Sequence, residues 1–155
     1  MGAVSKEFYE SLPKKRMGCG CLILNEAQEI LLLKPTYKDS WEIPGGIVEE
    51  DESPRQCCKR EVLEELSLKI ELTHLLLVDY NPGDENKTES LMFVFGVVPF
   101  SASKIQSIFL NENEHSEYAF FKVSQLPEEM TESLRRRVSR ALELYKTGGT
   151  AYFEN

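Results

Sequence analysis

Histidine and cysteine are scarce in this chain of 155 residues. The two histidines, His74 and His115, form no zinc-binding or proton-relay pattern, so we interpret them as structural or exposed. The four cysteines occur as Cys19-x-Cys21 and as the adjacent pair Cys57-Cys58, with no histidine near either pair. These spacings argue against a zinc site. We interpret the cysteines as reduced, mostly buried thiols of a cytoplasmic protein.

Long hydrophobic runs and an excess of basic residues are also missing. The longest apolar stretch, residues 91–100, is interrupted by Gly96 and Pro99, whereas a membrane helix needs about 20 apolar residues. Residues 1–18 contain no hydrophobic segment typical of a secretion signal. The chain has 26 acidic and 18 basic residues and a formal net charge of −8. We therefore expect a cytoplasmic protein that binds neither a membrane nor a nucleic-acid polymer.

Several catalytic signatures are absent, namely GxxxxGK[ST], HExxH and GxSxG. The chain instead mixes strand and helix patterns within the length of one domain. We interpret residues 1–155 as a single domain with an N-terminal arm at 1–17 and a C-terminal tail at 147–155. The predicted strands are 18–24, 29–34, 70–79, 90–98, 104–110 and 118–123, and the predicted helices are 54–66 and about 134–147. This order predicts an α/β fold in which helices cover a mixed sheet.

The helix predicted at 54–66 carries a cluster of glutamates. Glu61, Glu64 and Glu65 are separated by three and four positions, so they project from one helical face. A solvated acidic face would explain this pattern if the helix stood alone. If a divalent cation binds between the carboxylates, the cluster becomes a metal-binding site. Mg²⁺ fits best, because it prefers carboxylate oxygens and shares its ligand sphere with phosphates and water.

The sequence around this helix resembles the signature of the Nudix hydrolases. That signature has Gly, five residues, Glu, seven residues, Arg-Glu, an apolar residue, any residue, Glu-Glu, any residue, Gly and an apolar residue. Residues 46–68 match every fixed position except the final Gly, which is replaced by Ser67. The preceding WEIPGG at 41–46 is similar to the family's usual lead-in. The mismatch concerns the end of the helix and leaves the carboxylates in place.

The resemblance implies a Nudix-type α/β/α sandwich, with helices on both faces of a mixed sheet, and a metal-dependent hydrolase. Members split a pyrophosphate bond in a nucleoside diphosphate linked to another group, through attack of water on phosphorus. By resemblance, the expected ligands of Mg²⁺, or of Mn²⁺ as a substitute, are Gly45, Glu61, Glu64 and Glu65. Glu61 and Glu65 are also candidate catalytic residues. Glu52 and Arg60 match an ion pair that holds the loop against the helix.

The resemblance also directs attention to a distant loop. Many members recruit a further glutamate as base or ligand, and in residues 111–118 the first choice is Glu114, ahead of Glu112 and Glu117. A solvated acidic loop is the alternative interpretation.

Candidate substrate contacts are Tyr37, Trp41 and Lys34. The two rings could stack on a base or belong to the core, and the lysine lies near the expected path of the phosphates. The expected substrate is a small nucleotide, such as a nucleoside triphosphate, ADP-ribose or a sugar nucleotide, and the protein is expected to be a monomer or a homodimer. A second hypothesis is a catalytically silent Nudix-like module that binds a nucleotide as a sensor. The three retained glutamates favour hydrolysis.

Overall fold

The computed structural model describes residues 4–155, and its centre is a mixed five-stranded sheet. In spatial order the strands are β3 (Gly45–Ile47), β1 (Arg16–Leu22), β5 (Ser90–Val97), β4 (Leu72–Asn81) and β7 (Ala151–Glu154). The β1–β5 and β4–β7 pairs are parallel, whereas β1–β3 and β4–β5 are antiparallel. The helices are α1 (Lys6–Ser11), α2 (Pro54–Leu66), α3 (Ala102–Gln106) and α4 (Glu132–Thr147), and a 3₁₀ turn spans Val123–Gln125.

A second, two-stranded sheet pairs β2 (Ile30–Pro35) with β6 (His115–Phe121) in antiparallel register. The run from Ile30 to Leu33 is fully buried, as expected for a strand that is covered on both sides. The chain passes from β1 to β2 through an antiparallel bridge between Leu24 and Ile30. The antiparallel pairing of β2 with β6 places the loop after β2 beside the loop before β6.

The core has two parts, one on each face of the large sheet. Alternate residues of the β1 segment point to opposite faces, as the pleat requires. Cys19, Cys21 and Ile23 pack with the buried residues of α2. Leu22 and Leu24 pack with the buried residues of α4. Helices therefore cover both faces of the mixed sheet, as the sequence analysis predicts.

Local sequence signals set the bounds of α2. Ser53 accepts a hydrogen bond from the Gln56 backbone N–H, and the Gln56 side chain accepts one from the Ser53 N–H, which is a complete capping box. Pro54 occupies the first turn, where its missing N–H has no cost. Ser67 ends the helix in the left-handed conformation, with φ 57° and ψ 30°. The residue that departs from the Nudix signature thus adopts the backbone conformation that the usual glycine would supply.

We expect the replacement Ser67→Gly to stabilise the protein. A side chain in the left-handed region costs roughly 1 kcal/mol relative to glycine. Because about 1 kcal/mol moves Tm by roughly 2–4 °C in a domain of this size, a calorimetric scan should detect the increase. Ser107→Gly is the matched control, because Ser107 ends α3 with φ −89° and gains nothing from glycine. An unchanged Tm in Ser67→Gly would contradict the strain argument.

Several observed elements are absent from the sequence prediction, including strand β3 and the 3₁₀ turn. Residues 102–106 form helix α3, so the strand predicted at 104–110 is wrong. Ser101 caps this helix by accepting a hydrogen bond from the Lys104 N–H. Short helix α1 lies in the predicted N-terminal arm, and β7 lies in the predicted tail, where it pairs with β4. Residues 1–3, on which the prediction about a secretion signal partly falls, lie outside the described residues.

Within residues 4–155, none of the helices combines the length and the apolar character that crossing a bilayer requires.

Candidate functional site

The candidate site lies where α2 packs beside the glycine pair at the start of β3. The three glutamates of α2 differ in their surroundings. Glu65 is buried, with 3% of its surface exposed. Glu61 is partly buried, and the side chain of Glu64 is 52% exposed. The cluster therefore extends from the protein interior to the surface, and only its outer member lies on a solvated face.

The two glycines allow the backbone to come close to these carboxylates. The Gly45 N–H donates a hydrogen bond to Oε2 of Glu65 at 3.2 Å. A Cβ atom at Gly46 would lie less than 3.0 Å from the carboxylate of Glu61. Gly45 has a φ of +149°, which residues with a side chain rarely adopt. The glycine pair thus holds the β3 backbone against Glu61 and Glu65.

Arg60 connects the loop before α2 to the glutamates of the helix. Its guanidinium binds both oxygens of Glu52, at 2.8 and 3.0 Å. This contact holds the pKa of Glu52 at about 2, well below its ordinary value. Arg60 also contacts one oxygen of Glu61 at 2.9 Å and one oxygen of Glu64 at 3.1 Å. A further hydrogen bond to the Ile47 carbonyl ties β3 to the same arginine.

The two inner carboxylates, Glu61 and Glu65, are shielded from water and lie close to other acidic groups. Burial, followed by the charge of Glu61, raises the pKa of Glu65 to about 9, and the charges of Glu42 and Glu114 act in the same direction. Burial also raises the pKa of Glu61, although its contact with Arg60 opposes the shift. A perturbed carboxylate of this kind in a concave region is a candidate for binding a cation or a proton.

The loop at 111–115 approaches the same carboxylates. Asn111 donates a backbone hydrogen bond to the Glu65 carbonyl at 2.9 Å, and its side chain donates to Glu114 at 3.1 Å. The charge of Glu114 is the smallest of the named causes that act on the pKa values of Glu61 and Glu65, and it raises both. The structure therefore brings Glu114 to the α2 glutamates.

Two further residues near Glu65 are missing from the sequence-based site. His115 is buried, and its Nε2 lies 3.6 Å from Oε1 of Glu65 and 3.8 Å from Oε1 of Glu42. The sequence analysis treats His115 as structural or exposed. Its position directly after Glu114 is the signal that could have identified it. Glu42 lies in the WEIPGG segment, and its neighbours in the sequence do not mark it as a residue of the site.

The oxygen atoms of Gly45 and of the three α2 glutamates suit a hard divalent cation, although they do not already form a complete coordination shell. Among the described residues, no three histidine, cysteine, aspartate or glutamate side chains form a ready metal-holding cluster. Arg60 engages one oxygen of Glu61 and one oxygen of Glu64. The carboxylate and backbone carbonyl oxygens of the site are nevertheless the donors that Mg²⁺ prefers.

The three candidate substrate residues lie in different surroundings. Tyr37 is 74% exposed, and it lines a cavity of about 460 Å³ together with Lys34. Trp41 is only 6% exposed and packs edge-to-face on Phe121, with ring centroids 5.1 Å apart. The ring of Trp41 therefore belongs to the core, which is the alternative that the sequence analysis left open. Lys34 places its Nζ 5.8 Å from the Trp41 ring.

A smaller cavity, of about 310 Å³, lies closer to the glutamates. Its lining includes Gly45 and Gly46, the two residues that touch Glu65 and Glu61. Neither cavity has a glutamate of α2 in its lining, but the cavity around Tyr37 also lacks Glu42 and the two glycines, which line the smaller one. We therefore take the smaller cavity as the one that belongs to the site.

Comparisons with known proteins identify relatives of this chain. Rat (Rattus norvegicus) diphosphoinositol polyphosphate phosphohydrolase 2 is 38% identical to the chain over 76 residues, which are 48% of this chain and 42% of that protein. The mouse (Mus musculus) phosphohydrolase 3-alpha is 36% identical over 85 residues, which are 54% of this chain and 51% of that protein. The chain thus spans about half the length of the curated relatives it matches.

Solved structures match over most of the chain. A MutT Nudix hydrolase from Burkholderia pseudomallei has a TM-score of 0.69 and 27% identity, covering 84% of this chain and 98% of that one. The family model described as the NUDIX domain matches residues 14–142, which contain α2 and both glycines. By this match and by its fold, the chain belongs to the Nudix hydrolase family.

Proposed function

We propose that this protein hydrolyses a pyrophosphate bond in a small nucleotide, in which a nucleoside diphosphate is linked to another group. Water attacks phosphorus, the phosphoanhydride bond breaks, and the leaving phosphate takes up a proton. The observation that carries this proposal is the pair of neighbouring carboxylates, buried Glu65 and partly buried Glu61, against the Gly45-Gly46 backbone. Glu61, Glu65 and Glu114 are the candidate bases, and the pair of Glu52 with Arg60 holds the loop beside them.

We propose that Mg²⁺ is the cofactor, with Mn²⁺ as a substitute. The residues that would hold it are Gly45, Glu61, Glu64 and Glu65. When bound, such an ion offsets charge on phosphate oxygens and makes a coordinated water more acidic. Arg60 contacts only one oxygen of Glu61 and one of Glu64, so each keeps a second oxygen for the ion. The part of the chain described here contains no preformed cage, so binding would rearrange these side chains.

The cavity beside Gly45 and Gly46 would take the part of the substrate that does not react. One part of its lining is aliphatic, which suits a nucleobase, and consists of Ile43, Met92, Val94 and Leu134. The other part carries cations and hydroxyls, which suit phosphate oxygens, and includes Arg16, Lys38, Ser40 and Arg137. Tyr37 and Lys34 remain proposed contacts at the neighbouring cavity.

A diphosphorylated inositol polyphosphate is the second candidate substrate. The names of the curated relatives favour it, and so do the cations Arg16, Lys38 and Arg137 at the cavity. Two of these cations are already paired, Lys38 with Glu42 at 2.7 Å and Arg137 with Asp79 at 2.6 Å. Since only Arg16 lacks a carboxylate partner within the described residues, a nucleotide of moderate charge is the better match.

A substrate panel tests this proposal. The protein is incubated with Mg²⁺ and, separately, nucleoside triphosphates, ADP-ribose, sugar nucleotides and a diphosphoinositol polyphosphate, and the products are identified by chromatography. We expect a nucleotide to be split at its pyrophosphate bond and turnover to stop when EDTA removes the metal. Turnover of the inositol compound alone would favour the second candidate. Nucleotide binding without turnover of any compound would favour the silent sensor module.

We also propose a cytoplasmic protein that acts as a single domain, as a monomer or a homodimer, without a membrane or nucleic-acid polymer as partner. The four cysteines are buried, and their spacings are not those of a zinc site, which is typical of cysteines in a reducing compartment. Size-exclusion chromatography with light scattering would determine the oligomeric state.

A further inference from the structure

The ring of His115 lies between two glutamates beside the proposed catalytic site. Its Nε2 faces Oε1 of Glu65 at 3.6 Å and Oε1 of Glu42 at 3.8 Å, just outside direct hydrogen-bond distance of either oxygen. A small movement of either carboxylate would form the bond. The residue is only 3% exposed, and among the described residues its Nδ1 has no hydrogen-bond partner. Burying an imidazole in this state is unfavourable, so packing alone does not explain it.

The chain places the ring here through backbone contacts on two sides. The His115 N–H donates to the Asn111 carbonyl, and the Asn111 N–H donates to the Glu65 carbonyl on α2, both at 2.9 Å. On the other side, the Thr36 N–H after β2 donates to the Glu114 carbonyl at 2.8 Å. The loop is thus attached to the catalytic helix and to the small sheet. The ring has little freedom to leave the space between the two glutamates.

The groups on either side of His115 form a row that runs from Glu65 to the cavity. Glu65 accepts a hydrogen bond from the Gly45 N–H on Oε2, so its other oxygen faces His115. Glu42 presents Oε1 to His115, while its Oε2 contacts Nζ of Lys38 at 2.7 Å. Lys38 lines the cavity beside the glycine pair. Any anionic group that enters this cavity would compete with Glu42 for Lys38.

We propose that His115 is a positioning residue that holds Glu65 in its cation-binding orientation and links it, through Glu42, to Lys38 at the cavity. This inference rests on the proposed function, because Glu65 must serve as a ligand for its orientation to matter. His115 itself touches neither substrate nor metal in this role. Without the ring, Glu65 keeps only its contact with Gly45 and can turn away.

Paired substitutions test the positioning role. In His115→Gln the amide nitrogen can reach the place of Nε2, whereas in His115→Asn it cannot. The first readout is the affinity of the substrate-free protein for Mn²⁺, measured from the EPR signal of the free ion. We expect His115→Asn to weaken Mn²⁺ binding about tenfold or more, and His115→Gln to keep it within about threefold. At saturating Mg²⁺, the kcat of His115→Asn should return toward the wild-type value, because the excess metal overcomes the weaker site. Its KM should stay raised, because the link from His115 through Glu42 to Lys38 at the cavity is still broken.

His74→Asn is the matched control. His74 is the other histidine, and it contacts the Gly149 carbonyl at 3.1 Å, away from the site glutamates. We expect this variant to change Tm but not Mn²⁺ affinity. Wild-type Mn²⁺ affinity in His115→Asn would overturn the positioning role and leave the proposed function standing. A wild-type protein that binds no Mn²⁺ and splits no substrate would overturn both.

Discussion

Replacing Glu65 by Gln is expected to lower kcat by roughly 10²–10⁴-fold while the fold is kept. Glutamine has nearly the same shape, so the hydrogen bond from the Gly45 N–H can remain. The amide has no charge to balance a divalent cation and cannot take up a proton. Single-turnover kinetics with saturating Mg²⁺ would measure the chemical step. Circular dichroism would check the fold.

The same variant is expected to be more stable than the wild type when metal is absent. The pKa of Glu65 rises from 4.5 to about 9 on folding, mainly because the carboxylate is buried. Between these values the folded protein holds a proton that the unfolded chain has lost, so stability falls as pH rises. Glutamine removes this dependence. At pH 8 with EDTA, Tm of Glu65→Gln should exceed that of the wild type by several degrees, and the difference should shrink toward pH 5.

Glu112→Gln is the matched control for both results. Glu112 is exposed, and it makes no hydrogen bond or ion pair with any residue from 4 to 155. The control should keep wild-type turnover and the wild-type dependence of Tm on pH. A Glu65→Gln protein with wild-type rates would show that the site is assigned wrongly. A lower Tm at pH 8 would show that the buried carboxylate is better balanced than its surroundings indicate.

Replacing Gly45 by Ala is expected to cost about 3 kcal/mol or more of stability, or to prevent folding. The new Cβ would overlap the backbone carbonyl of Cys19, and it would lie 2.9 Å from the Gly20 Cα. These are backbone atoms of a central strand, so they cannot move aside as a side-chain end could. The φ of +149° adds strain that no L side chain relieves. Denaturant unfolding would measure the loss, or soluble yield if the protein does not fold.

Gly148→Ala separates the two sources of this cost. Gly148 ends α4 with a φ of +75°, and a Cβ there would meet no atom within 4 Å. That variant should lose only about 1 kcal/mol, which is the penalty of the left-handed conformation alone. Equal losses at Gly45 and Gly148 would contradict the predicted overlap with β1.

Local chemistry explains which parts of the molecule could be predicted. The Ser-Pro-x-Gln capping sequence marks the start of α2. These capping contacts join residues within a single turn, so the helix can be predicted from neighbouring residues. Once the helix is predicted, the spacing of its glutamates along one face is known as well. The strand predicted at 104–110 is wrong for a related reason. Its apolar residues fit either period, and the cap at Ser101 is the signal that favours a helix. The short strand β7 depends on β4 as its partner, 70 or more residues away in the chain.

From the residues alone came the helix with its three glutamates, the glycine pair before it and the resemblance to Nudix hydrolases. Only the folded chain decided that Glu65 is buried, that Arg60 shares Glu61 and Glu64, and that Trp41 belongs to the core. It also brought Glu42 and His115 together at Glu65 from separate segments of the chain. Spacing along a helix is a local property, whereas burial and charge balance depend on which distant segments pack together.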